Sequence, residues 1–287
     1  MRLWSPARAW GRTAEVRTPR DLRSHSLLAV FAHPDDESLA CGGLLALCAE
    51  RGARVSLLCL TRGEHGPGGD VVRHPGVAAE RPSPTGSGAL GELRTEELRN
   101  AARVLGVESV EVLDHEDGML PWLDSERLEA DIRDAIRRTR AEVVVTFDED
   151  GLYWHPDHIA VHDRTTAAVA ALGLAGPALR YVSIPPDAMS AVAASAPGGT
   201  ILGVEDVKAF GSSAPPPSFV LTVGPLAARK LAALRCHRSQ VAGGPLDAVD
   251  AREASKLLGT EHYRRADVGS ADAAFVDAFC APLPVRV

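Results

Sequence analysis

No stretch of this 287-residue chain is apolar for long enough to cross a bilayer as one helix. The run that raises the question, residues 210–228, carries no charge but is interrupted by Pro215, Pro216, Pro217 and Pro225, and a spanning helix needs about 20 continuous apolar residues. Excess positive charge is missing too. Basic residues number 31 against 38 acidic ones, a formal net charge of -7, so nothing draws the chain broadly to nucleic acid or anionic lipid. Lysine is nearly absent, at Lys208, Lys230 and Lys256, which points to a GC-rich coding sequence and not to chemistry. Cysteine is sparse. Cys41, Cys48, Cys59, Cys236 and Cys280 are odd in number, lack Cys-x-x-Cys spacing and sit in hydrophobic surroundings, reading as buried thiols in a reducing, cytoplasmic compartment. Residues 1–26 hold six arginines but no apolar signal-peptide core, and Glu15 and Asp21 argue against a transit peptide; they read as a poorly ordered extension.

What remains is a globular composition, 45% hydrophobic and 24% charged, with one recurring grammar: a short apolar run, a polar loop, a helical period. Strands are expected at 27–32, 55–60, 107–113 and 142–147, with helices at 38–51, 92–105, 125–140 and 159–172. In the 92–105 helix, Leu93, Leu98, Ala101, Ala102 and Leu105 form the apolar face and the Arg and Glu residues the other. Residues 63–91 read as a long surface loop over a site. Beyond Gly173 the signals weaken: strands at 179–184 and 219–223, helices from Pro225 and near Asp247, and an irregular stretch at 193–217. Without repeats or a break in composition, residues 27–287 read as a single α/β domain around a mainly parallel sheet.

Ligands in such sheets bind at the carboxyl ends of the strands, and two of the loops there are chemically dense. One is Ala32-His33-Pro34-Asp35-Asp36-Glu37-Ser38; the other runs from Asp148 to Tyr153-Trp154-His155-Pro156-Asp157-His158. Each sets imidazole and carboxylate beside a proline. Imidazole nitrogen and carboxylate oxygen suit a borderline divalent metal, so the loops together suggest a two-histidine, one-carboxylate site with one position open to water and a spare carboxylate to take its proton. Taken alone, either Asp35 or Asp36 reads equally well as a helix cap; two matched loops on one sheet favour the metal site.

These residues resemble the PIG-L (LmbE-like) zinc-dependent N-deacetylases. The resemblance rests on residues 32–37, Gly42 and Gly43, Arg94 and Glu97, Asp117-Gly118, His155-Pro156-Asp157-His158, Lys230, and His237-Arg238-Ser239-Gln240, and spans roughly residues 27–264. It implies a Rossmann-like three-layer fold and hydrolysis of the acetyl amide of an N-acetylglucosamine joined to another unit. It further implies His33, Asp36 and His158 as ligands of one divalent metal, zinc first and ferrous iron second. Asp35 is implied as general base and His155 as the oxyanion donor. Tyr153 then helps to polarise the carbonyl, and Asp157 orients His155 or a ligand. Arg94, Asp117, His237 and Gln240 are implied as substrate contacts.

Blander readings compete. Arg94 can be a solvated helix residue paired with Glu97 at i,i+3; His65, His74, His115 and His162 read as surface or loop residues. The same ligand types also serve iron oxygenases and metallophosphoesterases, or a sugar binder without turnover; Asp35 and His155 favour hydrolysis. Within hydrolysis, an amidase acting on a mycothiol-type thiol conjugate is the nearest alternative. The expected partner is a small aminosugar conjugate, and a homo-oligomer is left open.

Overall fold

The computed structural model describes residues 21–66, 87–186, 188–195, 200–211, 216–270 and 274–282. Near-continuous aliphatic runs form its first strands because both faces of a parallel sheet are covered. β1 (Ser26–Phe31) and β4 (Val143–Phe147) are buried at every residue, and β2 (Arg54–Thr61) at every residue but its first. With β3 (Ser109–His115) and β5 (Ala178–Ser183) they make a parallel set. The sheet continues through β7 (Thr260–Gly269), β6 (Phe219–Thr222) and β8 (Cys280–Pro282), all antiparallel to their neighbours. The order is β3-β2-β1-β4-β5-β7-β6-β8. It reverses direction of growth between β1 and β4, registered at Leu27↔Val143 and Ala29↔Val145. A crevice opens at such a switch point, and the two dense loops leave the sheet there.

Helix α1 (Asp36–Glu50) follows β1, and α3 (Ser125–Thr139) lies between β3 and β4. Helix α2 (Ser87–Leu105) begins five residues earlier than the periodicity predicts. Its Leu98, Ala101, Ala102 and Leu105 are buried as expected, but so are Arg94 and Glu97, which the apolar pattern had assigned to the outer face. Residues 67–86 of the expected long loop, His74 among them, lie outside the described residues. So do residues 1–20 of the N-terminal stretch; Leu22 is fully buried and its N–H donates to Arg51 O at 2.7 Å. The stretch expected to be irregular contains a single 3-10 turn, Val207–Ala209, among its described residues, and a tight reversal bridged between Ile201 and Val204. Leu202 and Gly203 at its tip both have positive φ, 49° and 82°, as a two-residue type I′ turn requires. Sequence periodicity missed β7 and β8 altogether. Among the described residues no helix is long and apolar enough to cross a membrane.

Candidate metal centre and acid–base site

The loop after β1 turns sharply enough to put Asp35 at φ 116°, ψ -26°, a region L-residues avoid at a cost of about 1–3 kcal/mol. Its surroundings hold it there. Asp35 O accepts the N–H groups of Ser38 and Leu39, both at 3.2 Å, and Asp35 N–H donates to Glu37 Oε2 at 3.1 Å. Arg94 Nη2 reaches Pro34 O at 2.8 Å and Asp35 Oδ2 at 3.2 Å. The loop after β4 is similarly constrained, with Gly151, Leu152 and Trp154 all at positive φ. Gly151 is needed for more than its φ: a Cβ there would lie 2.7 Å from His158 Cβ.

These two turns bring His33, Asp36 and His158 together. His33 Nδ1 lies 3.1 Å from His158 Nε2, and Asp36 Oδ1 lies 3.2 Å from the same Nε2. Asp36 Oδ2 is 3.5 Å from His33 Nδ1 and accepts the His33 backbone N–H at 2.8 Å. The opposite nitrogen of each ring is already committed. His158 Nδ1 donates to Gly151 O at 2.9 Å, and His33 Nε2 faces Asp117 Oδ1 at 3.0 Å and Asp157 Oδ2 at 3.2 Å. In its neutral form each ring is thereby fixed in the tautomer that turns a lone pair to the shared point. Two lone pairs facing each other need a cation between them. Tetrahedral zinc with Zn–N of 2.0–2.1 Å separates two nitrogen ligands by about 3.3 Å, so the donor set fits such an ion.

Two other groupings have donor atoms within 4.8 Å of one another: His33, His155 and His158, and His33, Asp117 and Asp157. Hydrogen bonding argues against both as ligand sets. His155 Nδ1 accepts the Asp157 N–H at 3.2 Å, which leaves an N–H on Nε2 of the neutral ring. Asp117 and Asp157 meet the N–H side of His33, and Asp157 is further saturated by the N–H groups of Gly118 at 2.8 Å and Leu120 at 3.2 Å. Asp157 therefore orients His33, while its own backbone orients His155.

Electrostatics separates the carboxylates. Burial pushes Asp35 up to about 7, against the pull of Arg94 and with the push of Asp36. Asp36 is just as buried, but His158 and His33 overcome that and hold it far below the carboxylate range. Burial favours neutral His33, yet Asp117, Asp157 and Asp36 raise it well above its ordinary value. Asp117 goes down, because His33 outweighs desolvation. Burial, then His158 and His33, lowers His155 to about 4. Tyr153, shielded from water beside Asp36 and Asp35, keeps its proton.

A cleft of about 180 Å3 opens at these groups, its lining completed by Tyr153, His155, Arg94, the 202–204 turn and Gln240. A larger hollow, about 760 Å3, lies beside His25 and Phe275 at the amino ends of β4 and β5, away from the convergent donors. Arg94 is 4% exposed, which overturns its reading as a solvated helix residue. Glu97 does not pair with it; its carboxylate takes Ser239 N–H at 2.8 Å and Ser239 Oγ at 2.6 Å. His237 is fully buried and pairs with Glu37 at 3.0 Å, outside the cleft lining. His115 bonds Asp131, and His162 bonds Phe147 O. Sequence reasoning assigned no role to Glu37, although it stands in the first motif, nor to Glu64, whose Oε1 accepts Asp117 N–H at 3.0 Å; the partners that define such a role are visible only in the fold.

A sequence profile described as PIG-L, GlcNAc-PI de-N-acetylase, matches residues 28–169. The 1D-myo-inositol 2-acetamido-2-deoxy-alpha-D-glucopyranoside deacetylase of Acidothermus cellulolyticus is 33% identical over 264 residues, covering 83% of this chain and 87% of the relative. Among solved structures, N,N'-diacetylchitobiose deacetylase from Pyrococcus horikoshii superposes with a TM-score of 0.61 at 18% identity, covering 88% of this chain and 87% of its own. The 4-carboxy-2-hydroxymuconate hydratase of Pseudomonas putida shares the fold almost as closely, with a TM-score of 0.58 at 19% identity, over 87% and 99% of the two chains. The fold thus hosts different reactions, and function has to be argued from the site.

Proposed function

The chain belongs to the PIG-L family of de-N-acetylases, and we propose that it is a metal-dependent amide hydrolase removing the acetyl group from an N-acetylglucosamine-containing small molecule. The observation that carries this reading is the meeting of His33 Nδ1, His158 Nε2 and Asp36 Oδ1, 3.1 and 3.2 Å apart, beside the Asp35 carboxylate in an open cleft. Zinc suits these donors best, ferrous iron next. A divalent cation held there supplies Lewis acidity toward the amide carbonyl and toward water.

The chain's own side chains account for the proton transfers and the orientation. Asp35, pushed up to about 7, is poised to take a proton from the attacking water and return it to the departing amine. Neutral His155 presents its Nε2–H to the developing oxyanion, and protonated Tyr153 stands next to it as a second donor. Asp117 and Asp157 hold His33; Arg94 holds Asp35. Gln240 and the 202–204 turn stand where the sugar or its aglycone leaves the cleft. The continuous sheet supports taking residues 27–287 as one catalytic domain.

Metal analysis of protein purified without chelator, paired with amine release from GlcNAc-inositol, N,N'-diacetylchitobiose and simple N-acetylglucosaminides, tests this reading. About one zinc or iron per chain is expected, with activity abolished by a chelator and restored by metal. No bound metal would overturn the centre. Metal without amine release from any of these would shift the reading to an amidase of thiol conjugates.

A further inference from the structure

Asp35 occupies a backbone conformation that aspartate rarely chooses, and the group holding its N–H is a carboxylate two residues on. Glu37 is fully buried. Its Oε2 accepts Asp35 N–H at 3.1 Å, while Oε1 accepts the Ser38 hydroxyl at 2.5 Å and His237 Nε2 at 3.0 Å. His237 comes from the far end of the chain, just past the helix Ala227–Leu234, and is fully buried as well. Its ring does not line the cleft, so it lies behind the base and not in front of it. The segment it begins also reaches the cleft: Ser239 is tied to Glu97, and Gln240 forms part of the wall.

We propose that Glu37 and His237 are a positioning pair that fixes the left-handed backbone of Asp35 and so aims its carboxylate at the reacting centre. Arg94 holds the carboxylate of the same residue directly, at 3.2 Å. This rests on the deacetylase reading for the identity of the base, and it replaces substrate contact as the role of His237. The physical reason is reach: Glu37 alone could swing its carboxylate away from a strained N–H, whereas a buried imidazole bonded to its other oxygen removes that freedom. Loss of the pair should leave metal and substrate binding intact and misalign the base, and a displacement of about 1 Å at a reacting group costs up to about 10²-fold in rate.

Steady-state kinetics on metal-loaded His237→Leu, His237→Gln, Glu37→Gln and the double variant Glu37→Gln/His237→Leu test the proposal. His237→Leu should lower kcat about 10- to 100-fold with KM and metal per chain unchanged. His237→Gln, whose amide N–H can reach the same oxygen, should recover most of the loss. In the Glu37→Gln background, His237→Leu should add little. A raised KM at unchanged kcat, additive losses, or loss of metal would each overturn it. If the wild-type protein releases no amine from any substrate, the deacetylase reading fails by itself. The pair is then judged from a crystal structure of His237→Leu, in which Asp35 should leave the positive-φ region; an unchanged φ would overturn the pairing.

Discussion

In the parallel half of the sheet, β1, β2 and β4 are mostly apolar, carry no charge but Arg54, and are buried at all residues except that one. In the antiparallel edge, β7 alone carries Glu261, His262, Arg264 and Arg265. These three parallel strands serve the core, and the chemistry is displaced into the loops at their carboxyl ends. The charges of β7 reach back toward those loops. Arg264 pairs with Asp148 at the end of β4. Glu261, 3% exposed, accepts Gly43 N–H at 2.7 Å, Leu44 N–H at 2.9 Å, Lys230 Nζ at 2.6 Å and Tyr263 Oη–H at 2.7 Å. The edge is thus a strut for α1, the helix that begins at the candidate metal ligand Asp36.

This division predicts that substitutions in the loops remove activity from a stable protein, while substitutions at the strut remove stability first. The largest effect belongs to Asp36→Ala, which should lose metal by elemental analysis and activity below detection. Asp35→Ala should keep its metal and lose about 10²- to 10⁴-fold in kcat; equal metal loss in both variants would mean that their roles are misassigned. Glu261→Gln leaves Lys230 buried without its counter-charge and should cost about 3–5 kcal/mol in denaturant unfolding, with kcat per folded molecule near wild type. A large kcat loss without destabilisation would dissolve the contrast between the two halves. His155→Ala should lower kcat about 10²- to 10³-fold with little change in Tm.

The same contrast explains what could be read from sequence. Aliphatic runs followed by His-Pro-Asp loops announce both the parallel strands and the ligands, because each signal is local. β7 is hidden because its inward residues include a glutamate, whose partners other than Tyr263 lie on helices remote in sequence, at Gly43, Leu44 and Lys230. Arg94 looks like a solvated residue for the same reason: its partners are Asp35, Pro34 O and Gly63 O, none on its own helix. Glu37 and Glu97 were legible as motif positions, but their partners, His237 and Ser239, are set by tertiary packing.

The smallest effect sharpens the comparison at its joint. Helix α1 breaks at Cys41, φ -140°, which frees the Gly43 and Leu44 N–H groups for Glu261 and lets the helix approach the turn after β6. A Cβ on Gly43 would lie 2.6 Å from both Cβ and Cγ2 of Val223 and 2.7 Å from its Cγ1, closer than real atoms pack. Gly43→Ala should therefore cost about 1–3 kcal/mol by overpacking without touching metal content. Trimming the neighbour with Val223→Ala removes the two methyl contacts but leaves the Cβ clash, so the double variant should recover only part of the loss. Full recovery would mean that the backbones can separate at this point, and that Glu261 holds the two halves together less tightly than its four hydrogen bonds imply.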